Sequence, residues 1–458
     1  MRPFLQPYLI GLCLSLLPST LAGQTLQVGY RGKLSLPGSG VDQYGTSFTV
    51  AGLSGLSWLA GPRFVAVMDN SDLVVELDIR LDQDGSLLSV DVVRGVRLSE
   101  WRDFEGIAFT DPVRNSVYLS EEGGPSVVEY SLDTGDRLQE LVLPSVFTDP
   151  GNVVPNYGLE SLTLRQDGLE MFTANEEALV VDGTLSTPSQ GTVVRLAALV
   201  DTGGGLMAER QYAYLTDPMH GLSVSGARSG VSDLVLLPNG KLLVLERSFS
   251  FHLFGMFRNA IYEIDSSSAT DVSQGQLAQG LLGQNYVAAS KFLLWGNTFS
   301  IGQNLEGLCL GPVLASGSLS LVGVVDDGDP LSSNTVASFE LFGDHGAGPR
   351  IDTVLMSGPA SVVAGSSGTW TLENAPPDAD FWIVSSFNQA GTFYLGQPFD
   401  VGQPITIQGQ GQTDATGQAT WTSAPIPITA GGLRVYLEAG VRYGGLFLDS
   451  NVLPLDIL

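Results

Sequence analysis

One short phrase recurs five times along the 458-residue chain. An acid or a Ser-Asp pair, a small residue and an aliphatic run are followed by a strand that ends in carboxylates. The openings are LSGLSWL at Ser54, DFEGIAF at Glu105, GLESLTL at Glu160, VSDLVLL at Ser232 and Asp233, and NLEGLCL at Glu306. The answering strands are FVAVMDN at Asp69, VYLSEEG at Glu121 and Glu122, MFTANEE at Glu176 and Glu177, LLVLERS at Glu246, and LVGVVDD at Asp326 and Asp327. A repeat with acids at fixed points builds architecture and concentrates charge together.

Each copy reads as four strands. A third follows from Val74, Val127, Val193, Ala260 and Val336, and a fourth from Ser89, Arg137, Arg210 and Lys291. Alternation and β-branched content support strands, and turns ending at Gly85, Gly168 and Gly240 separate them. Four strands per repeat fit the blades of a β-propeller better than the coils of a solenoid. The expected fold is therefore all-β, a propeller with five countable blades and room for a sixth in the two longest copies. The last copy has three strands and stops at Phe342. The segment from Thr25 belongs to no copy and is expected to supply the missing outer strand. Residues 24–343 form this propeller. After a Gly-rich linker, residues 351–458 alternate apolar and polar and read as a small β-sandwich of about seven strands, a structural or attachment module.

The chain carries 48 acids against 21 bases, a formal net charge of −27. Such a surface repels phosphate backbones, so nucleic acid is not an expected partner. Clustered carboxylates make divalent cations the natural partners; the plainer reading is that the surplus keeps the protein soluble. Residues 1–23 read as a signal peptide, with a basic start, a short apolar run and small residues at the cleavage offsets. The run is too short to span a membrane, and the expected location is secreted, periplasmic or cell-surface. Cleavage removes Cys13 and leaves Cys309, flanked by leucines, as a buried apolar residue. With three His and no paired Cys, zinc is not expected. There is no G-x-S-x-G elbow, no phosphate-cradling G-x-x-x-x-G-K and no H-E-x-x-H.

In a propeller the first strand of each blade starts, and the second ends, at one face near the axis. The opening and closing acids then converge on one rim. That gathers Glu105, Glu160, Asp233 and Glu306 with Asp69, Glu121, Glu176, Glu246 and Asp326. Crowded carboxylates do not all stay ionised unaided, and calcium relieves them with oxygen ligands. Asn70, Asn156, Asn175 and Asn304 stand at the same points as neutral donors. The competing reading makes the acids acceptors for turn amides. Arg247, next to Glu246, either grips a substrate anion by two hydrogen bonds or pairs with a neighbouring acid. Arg258, Lys291 and His220 are weaker candidates, and Asp82-Gln83-Asp84-Gly85 reads as a turn.

The ordered series LSGLSW, MDN, DFEGIA, LSEEG, NYGLESLTL, TANEE, VSDLVLLPNGKLLVLERSF, NLEGL and VVDD resembles the phytase-like domain ("esterase-like activity of phytase") of bacterial secreted proteins, from Gly52 to Phe342. The resemblance implies a propeller and a phosphoesterase or esterase activity. The matching acids fall on Glu105, Glu121, Glu160, Glu176, Asp233, Glu246, Glu306 and Asp326, with Arg247 in the Glu-Arg pair. The leading expectation is a calcium-dependent hydrolase of small phosphate or other esters. Glu105, Glu160, Glu306 and Asp69 hold metal. Glu121, Glu176 or Asp326 is the base. Arg247, with Glu246 and Asp233 nearby, meets the substrate. The alternatives are a non-enzymatic binding or adhesion module with a structural rim, and a calcium-dependent lactonase.

Overall fold

The protein is seen in a computed structural model that describes residues 25–253, 255–297, 301–314, 316–328, 331–346, 354–394, 397–443 and 446–458. The expected signal peptide, Cys13 and most of the Gly-rich linker lie outside the described residues.

The strands begin with β1 (Gln27–Ser35), then the short pair β2 (Ser39–Val41) and β3 (Ser47–Thr49). The first repeat is β4 (Leu53–Ala60), β5 (Arg63–Met68), β6 (Ser71–Leu81) and β7 (Leu87–Arg102). The second is β8 (Phe104–Phe109), β9 (Ser116–Glu121), β10 (Ser126–Ser131) and β11 (Arg137–Glu140). The third is β12 (Leu159–Leu164), β13 (Glu170–Asn175), β14 (Val193–Asp201) and β15 (Leu206–Leu215). The fourth is β16 (Arg228–Leu236), β17 (Leu242–Phe249), β18 (Phe257–Asp265) and β19 (Ser290–Asn297). The fifth is β20 (Leu305–Val313), β21 (Leu319–Val325) and β22 (Thr335–Phe342).

Each repeat is one antiparallel four-stranded sheet in chain order. The fifth takes β1 as its outer strand, Gln27 opposite Phe342 and Ser35 opposite Thr335. The two ends of the repeat region are thus fastened in one sheet, as the unassigned Thr25 segment implied.

Five apolar clusters hold the sheets together, each shared by two neighbours. Sheets one and two share Val65, Val67, Ile107 and Leu119. Sheets two and three share Ala108, Tyr118, Leu162 and Leu199, and sheets three and four Phe172, Leu196, Leu234 and Tyr262. Sheets four and five share Leu243, Leu245, Leu308 and Phe339. The fifth cluster joins sheet five back to sheet one through Cys309, Val322, Leu56 and Phe64. The first strands touch in the same cyclic order: β4 with β8, β8 with β12, β12 with β16, β16 with β20, and β20 with β4. Both faces of the inner strands are covered, so β5, with all six residues buried, reads as an unbroken apolar run.

The small residue after each opening acid has a packing cause. A Cβ on Gly55 would lie 2.5 Å from Glu105 O, and one on Gly106 2.5 Å from Leu162 N. Adjacent first strands approach so closely that a side chain does not fit there. Gly106→Ala is expected to cost about 1–3 kcal/mol. Urea unfolding of the variant checks this, and an unchanged midpoint would refute the packing account.

Downstream, one sheet is formed by Leu355–Ser357, Thr369–Glu373 and Ala419–Thr422. A larger one contains Asp380–Ser386, Thr406–Gln412, Arg434–Tyr443 and Leu453–Ile457. The two share a core of Met356, Trp370, Leu372, Phe381, Ile383, Ala439 and Leu455. Among the described residues eleven short strands occur here instead of about seven, because small edge pairs such as Thr392–Tyr394 with Gln397–Phe399 escaped the sequence pattern. Arg80 of β6 joins this region to sheet one, pairing with Asp78, Asp400 and Asp449 at 2.9, 2.6 and 3.0 Å. Among the described residues no helix is long and apolar enough to cross a membrane.

Candidate functional site

A β-bulge near the start of every first strand aims the opening side chain. The register slips between Leu53 and Gly55, Phe104 and Ile107, Leu159 and Ser161, Val231 and Asp233, and Leu305 and Gly307. A bulge leaves one residue unpaired and re-aims it. The bulged residues are Ser54, Glu105, Glu160, Ser232 and Glu306. Asp233, which the sequence grouped with the glutamates, lies one place later. Its buried carboxylate accepts Leu234 N at 2.8 Å and Leu308 N at 2.7 Å. It therefore bridges β16 to β20 and takes no part in the acid cluster.

The second level lies at the ends of the second strands. Asp69 N donates to Gly52 O, Glu122 N to Asp103 O, Glu176 N to Gly158 O, and Asp326 N to Asn304 O. In sheet four the residue paired with Gly230 is Arg247. The equivalent set is therefore Asp69, Glu122, Glu176, Arg247 and Asp326. Arg247 stands where the other four repeats carry a carboxylate. Glu121 and Glu246, chosen from the sequence, are each one residue too early, and in a strand that means the opposite face. Glu121 pairs with Arg102 and accepts Ser126 Oγ at 3.0 Å. Glu246 accepts Tyr214 Oη, Lys291 Nζ and the amide of Asp217. Both are engaged outside the cluster, each by its own sheet and the preceding one: Glu121 by Ser126 and by Arg102 of β7, Glu246 by Lys291 and by Tyr214 of β15.

The structure thus brings Glu105, Glu160, Glu306, Asp69, Glu176, Asp326 and Arg247 together. It adds Asp103, which the sequence did not single out, and Glu122, which the sequence offered only as the second acid of a doublet. Asp69, Asp103 and Glu105 each offer an oxygen within 4.8 Å of the others, and so do Glu122, Glu160 and Glu176. Glu306 joins neither triad, since its Oε1 accepts Arg247 Nη1 at 2.6 Å and Asn304 Nδ2 at 2.9 Å. Asn304 also donates to Asp326 Oδ2 at 2.9 Å. Of the four asparagines proposed as neutral donors, it is the buried one bonded to these acids. Asn175 instead receives Arg195 N, and Asn70 caps Asp69 in solvent.

Burial and mutual repulsion shape the acidities. Glu105 and Glu160 are pushed well above the carboxylate range by burial and then by neighbouring carboxylates. Glu122 is raised to about 8 by burial, Glu176 and Asp103. Glu306 reaches about 7, burial outweighing the pull of Arg247. Asp103 is raised to about 6 by burial and its bond to Asp69. Proton uptake relieves such crowding, and so does a cation.

Arg247 is 1 % exposed on its side chain and already bonded to Asn304, Glu306 and Glu176, with Glu160 at 3.9 Å. Its guanidinium is an internal counter-ion, spent on the protein and not on a substrate. The other weak candidates are also engaged. Lys291 lies 2.8 Å from Asp217, and Arg258 3.7 Å from the same residue. His220 Nδ1 lies 2.9 Å from Ser248 Oγ, and burial lowers its pKa. Asp82 Oδ1 accepts Asp84 N and Ser86 N, as a turn requires. A third acidic triad, Asp400, Glu438 and Asp449, is satisfied by Arg80 and by the amides of Asp400 and Val401.

At the downstream ends of the first strands lies a cavity of about 480 Å³ lined by Trp58, Phe109, Leu164, Leu236 and Leu310. Its wall is mainly apolar and it includes none of the clustered acids.

The phytase-like family, described as the esterase-like activity of phytase, matches residues 49–329. A search of curated proteins finds no match. Among solved structures, a hypothetical protein from Leishmania major is 10% identical, covering 63% of this chain and 85% of its own, with a TM-score of 0.31. A mutant of the GH43 protein BlXynB from Bacillus licheniformis is 9% identical, covering 92% and 90%, also with a TM-score of 0.31.

Proposed function

The chain belongs to the phytase-like family, and on that premise we propose that it is a calcium-dependent hydrolase of phosphate or other esters built on a five-bladed β-propeller. Cyclic contact of the first strands supports the propeller. The observation that carries the activity is the convergence of three bulge glutamates with four strand-end acids and one strand-end arginine in one largely buried cluster.

The donor set fits a hard cation: all-oxygen, with three carboxylates in reach of one point in each of two triads. Ser54 Oγ and Asp103 Oδ1 are buried beside these levels without a hydrogen-bond partner. Asp69, Asp103 and Glu105, or Glu122, Glu160 and Glu176, would hold the ion. Bound calcium would polarise an ester oxygen and make a water more acidic. Glu306 is then the proton carrier. Its Oε1 is fixed by Arg247 and Asn304, and its Oε2 makes no hydrogen bond among the described residues. With a pKa of about 7 it takes a proton from water and returns it to a leaving group at neutral pH.

Glu306→Gln is expected to lower kcat on a chromogenic ester about 100-fold while keeping the calcium-induced rise in melting temperature. Glu160→Gln loses both. Unchanged turnover in both variants would sink the reading. No turnover over a broad ester and lactone panel, with no calcium effect on melting, would favour the binding module. We also retain the leader as an export signal and residues 351–458 as an attachment module; N-terminal sequencing of the secreted protein tests the former.

A further inference from the structure

Arg228 opens β16, two residues before Gly230. Residues two apart on a strand share a face. A Cβ on Gly230 would lie 2.6 Å from Glu176 O and 2.8 Å from its Cγ. Arg228 therefore reaches toward the same carboxylate, and its Nε lies 3.2 Å from Glu176 Oε1. That contact lacks hydrogen-bond alignment, and Nε is left without a partner. Its terminal nitrogens make no hydrogen bond among the described residues. The side chain is 30% exposed, against 1% for Arg247.

Its charge is also felt by Glu122, Glu306 and Tyr157, so it lies beside the cluster that Glu176 belongs to. Tyr157 ends the loop before Gly158 and is half-buried. Its hydroxyl also has no hydrogen-bond partner among the described residues. One arginine of the site is consumed by carboxylates; the other keeps its donors for something else.

We infer that Arg228, with the Tyr157 hydroxyl, is an anion clamp at the mouth of the acid cluster and selects esters bearing a negative charge beside the scissile bond, phosphomonoesters above all. A mouth lined with carboxylates repels such a substrate unless a dedicated donor receives it. A planar guanidinium meets two phosphate oxygens at once. A neutral ester has no use for it. The assignment rests on the hydrolase reading for the substrate class, and moves the anion-binding role from Arg247 to Arg228.

The test compares 4-nitrophenyl phosphate with 4-nitrophenyl acetate in calcium. For Arg228→Gln the ratio of kcat/KM, phosphate over acetate, should fall about 100-fold, chiefly through KM on phosphate, as loss of charge-assisted bonds implies. Arg228→Lys should recover part of it, and Tyr157→Phe should lower the ratio about fivefold. A ratio unchanged within threefold in both Arg228→Gln and Tyr157→Phe overturns the clamp. Calorimetric titration with inorganic phosphate separates this from the parent reading. If the wild type hydrolyses neither ester but binds phosphate at least tenfold tighter than Arg228→Gln, the hydrolase fails and the clamp stands. Equal or absent binding in both overturns the clamp as well.

Discussion

Arg247→Met is expected to destabilise the folded protein by roughly 3–5 kcal/mol at pH 8, the usual cost of stripping one partner from a buried ion pair. Methionine fills similar space, so the loss is one of charge and not of volume. Glu176, Glu306 and nearby Glu160 then lose the buried guanidinium that joined them, leaving only the partly exposed Arg228 beside Glu176. The melting temperature in chelator should drop by on the order of 5–10 °C. At pH 5 the penalty should shrink to about half, because the cluster can take up protons in place of the lost cation. Calcium should recover more of the variant's stability than it adds to the wild type, since the position becomes one more acid-lined gap. A melting temperature within 1 °C of wild type at pH 8 would mean that Arg247 is not the internal counter-ion.

The second large effect couples pH to calcium. A carboxyl whose folded pKa is raised keeps a proton that the unfolded chain releases near its ordinary value of about 4.3. Its stabilisation is complete below that value and is lost as pH rises through the folded pKa. The relevant folded values are about 6 for Asp103, about 7 for Glu306 and Glu177, and about 8 for Glu122. Without divalent cations the protein should therefore lose stability steadily between pH 5 and pH 8. His220 works the other way: its lowered pKa makes its imidazole neutral in the fold, and its contribution grows as pH rises toward 6.5. One histidine does not offset at least four carboxyls. Calcium competes with the retained protons, so its affinity should climb over the same interval. The calcium-minus-chelator difference in melting temperature should be near zero at pH 5 and about 5–10 °C at pH 8, from about 3 kcal/mol of binding at a hundredfold excess over Kd. A chelator curve that is flat from pH 5 to pH 8 would show that the buried acids are not bearing the cost of ionisation.

Much of the fold was readable from the chain. Four strands per repeat were marked by alternation and β-branched residues, and each maps to an observed strand. The odd segment from Thr25 had no copy of its own, and it pairs with β22. The site was only half readable. Glu105, Glu160 and Glu306 stand out because a bulge leaves a fixed trace, an acid before a small residue. The doublets do not reveal their orientation. In Glu121-Glu122 one acid enters the cluster and its neighbour pairs with Arg102; in Glu246-Arg247 the pattern delivers the arginine. Asp233 looked like a fourth opening acid because a count by motif ignores the one-residue slip at Ser232. Counting back two places from the bulge at Glu105 would have recovered Asp103, whereas Glu122 and Arg247 follow only from the pairing of those positions with the second strands.

What the primary structure determined is periodic: strand content, the repeat itself, the closing strand, and an excess of carboxylate at matching points. Those follow from side-chain chemistry repeated along one dimension. Five copies against six was settled by the five four-stranded sheets among the described residues. What only the tertiary structure decided is which neighbour each acid meets. A bulge of one residue reverses the face a side chain occupies, and cyclic stacking sets acids from different repeats within ångströms. Hence Arg247 became a buried counter-ion and Arg228, unremarkable in the chain, was left at the mouth with its donors unspent.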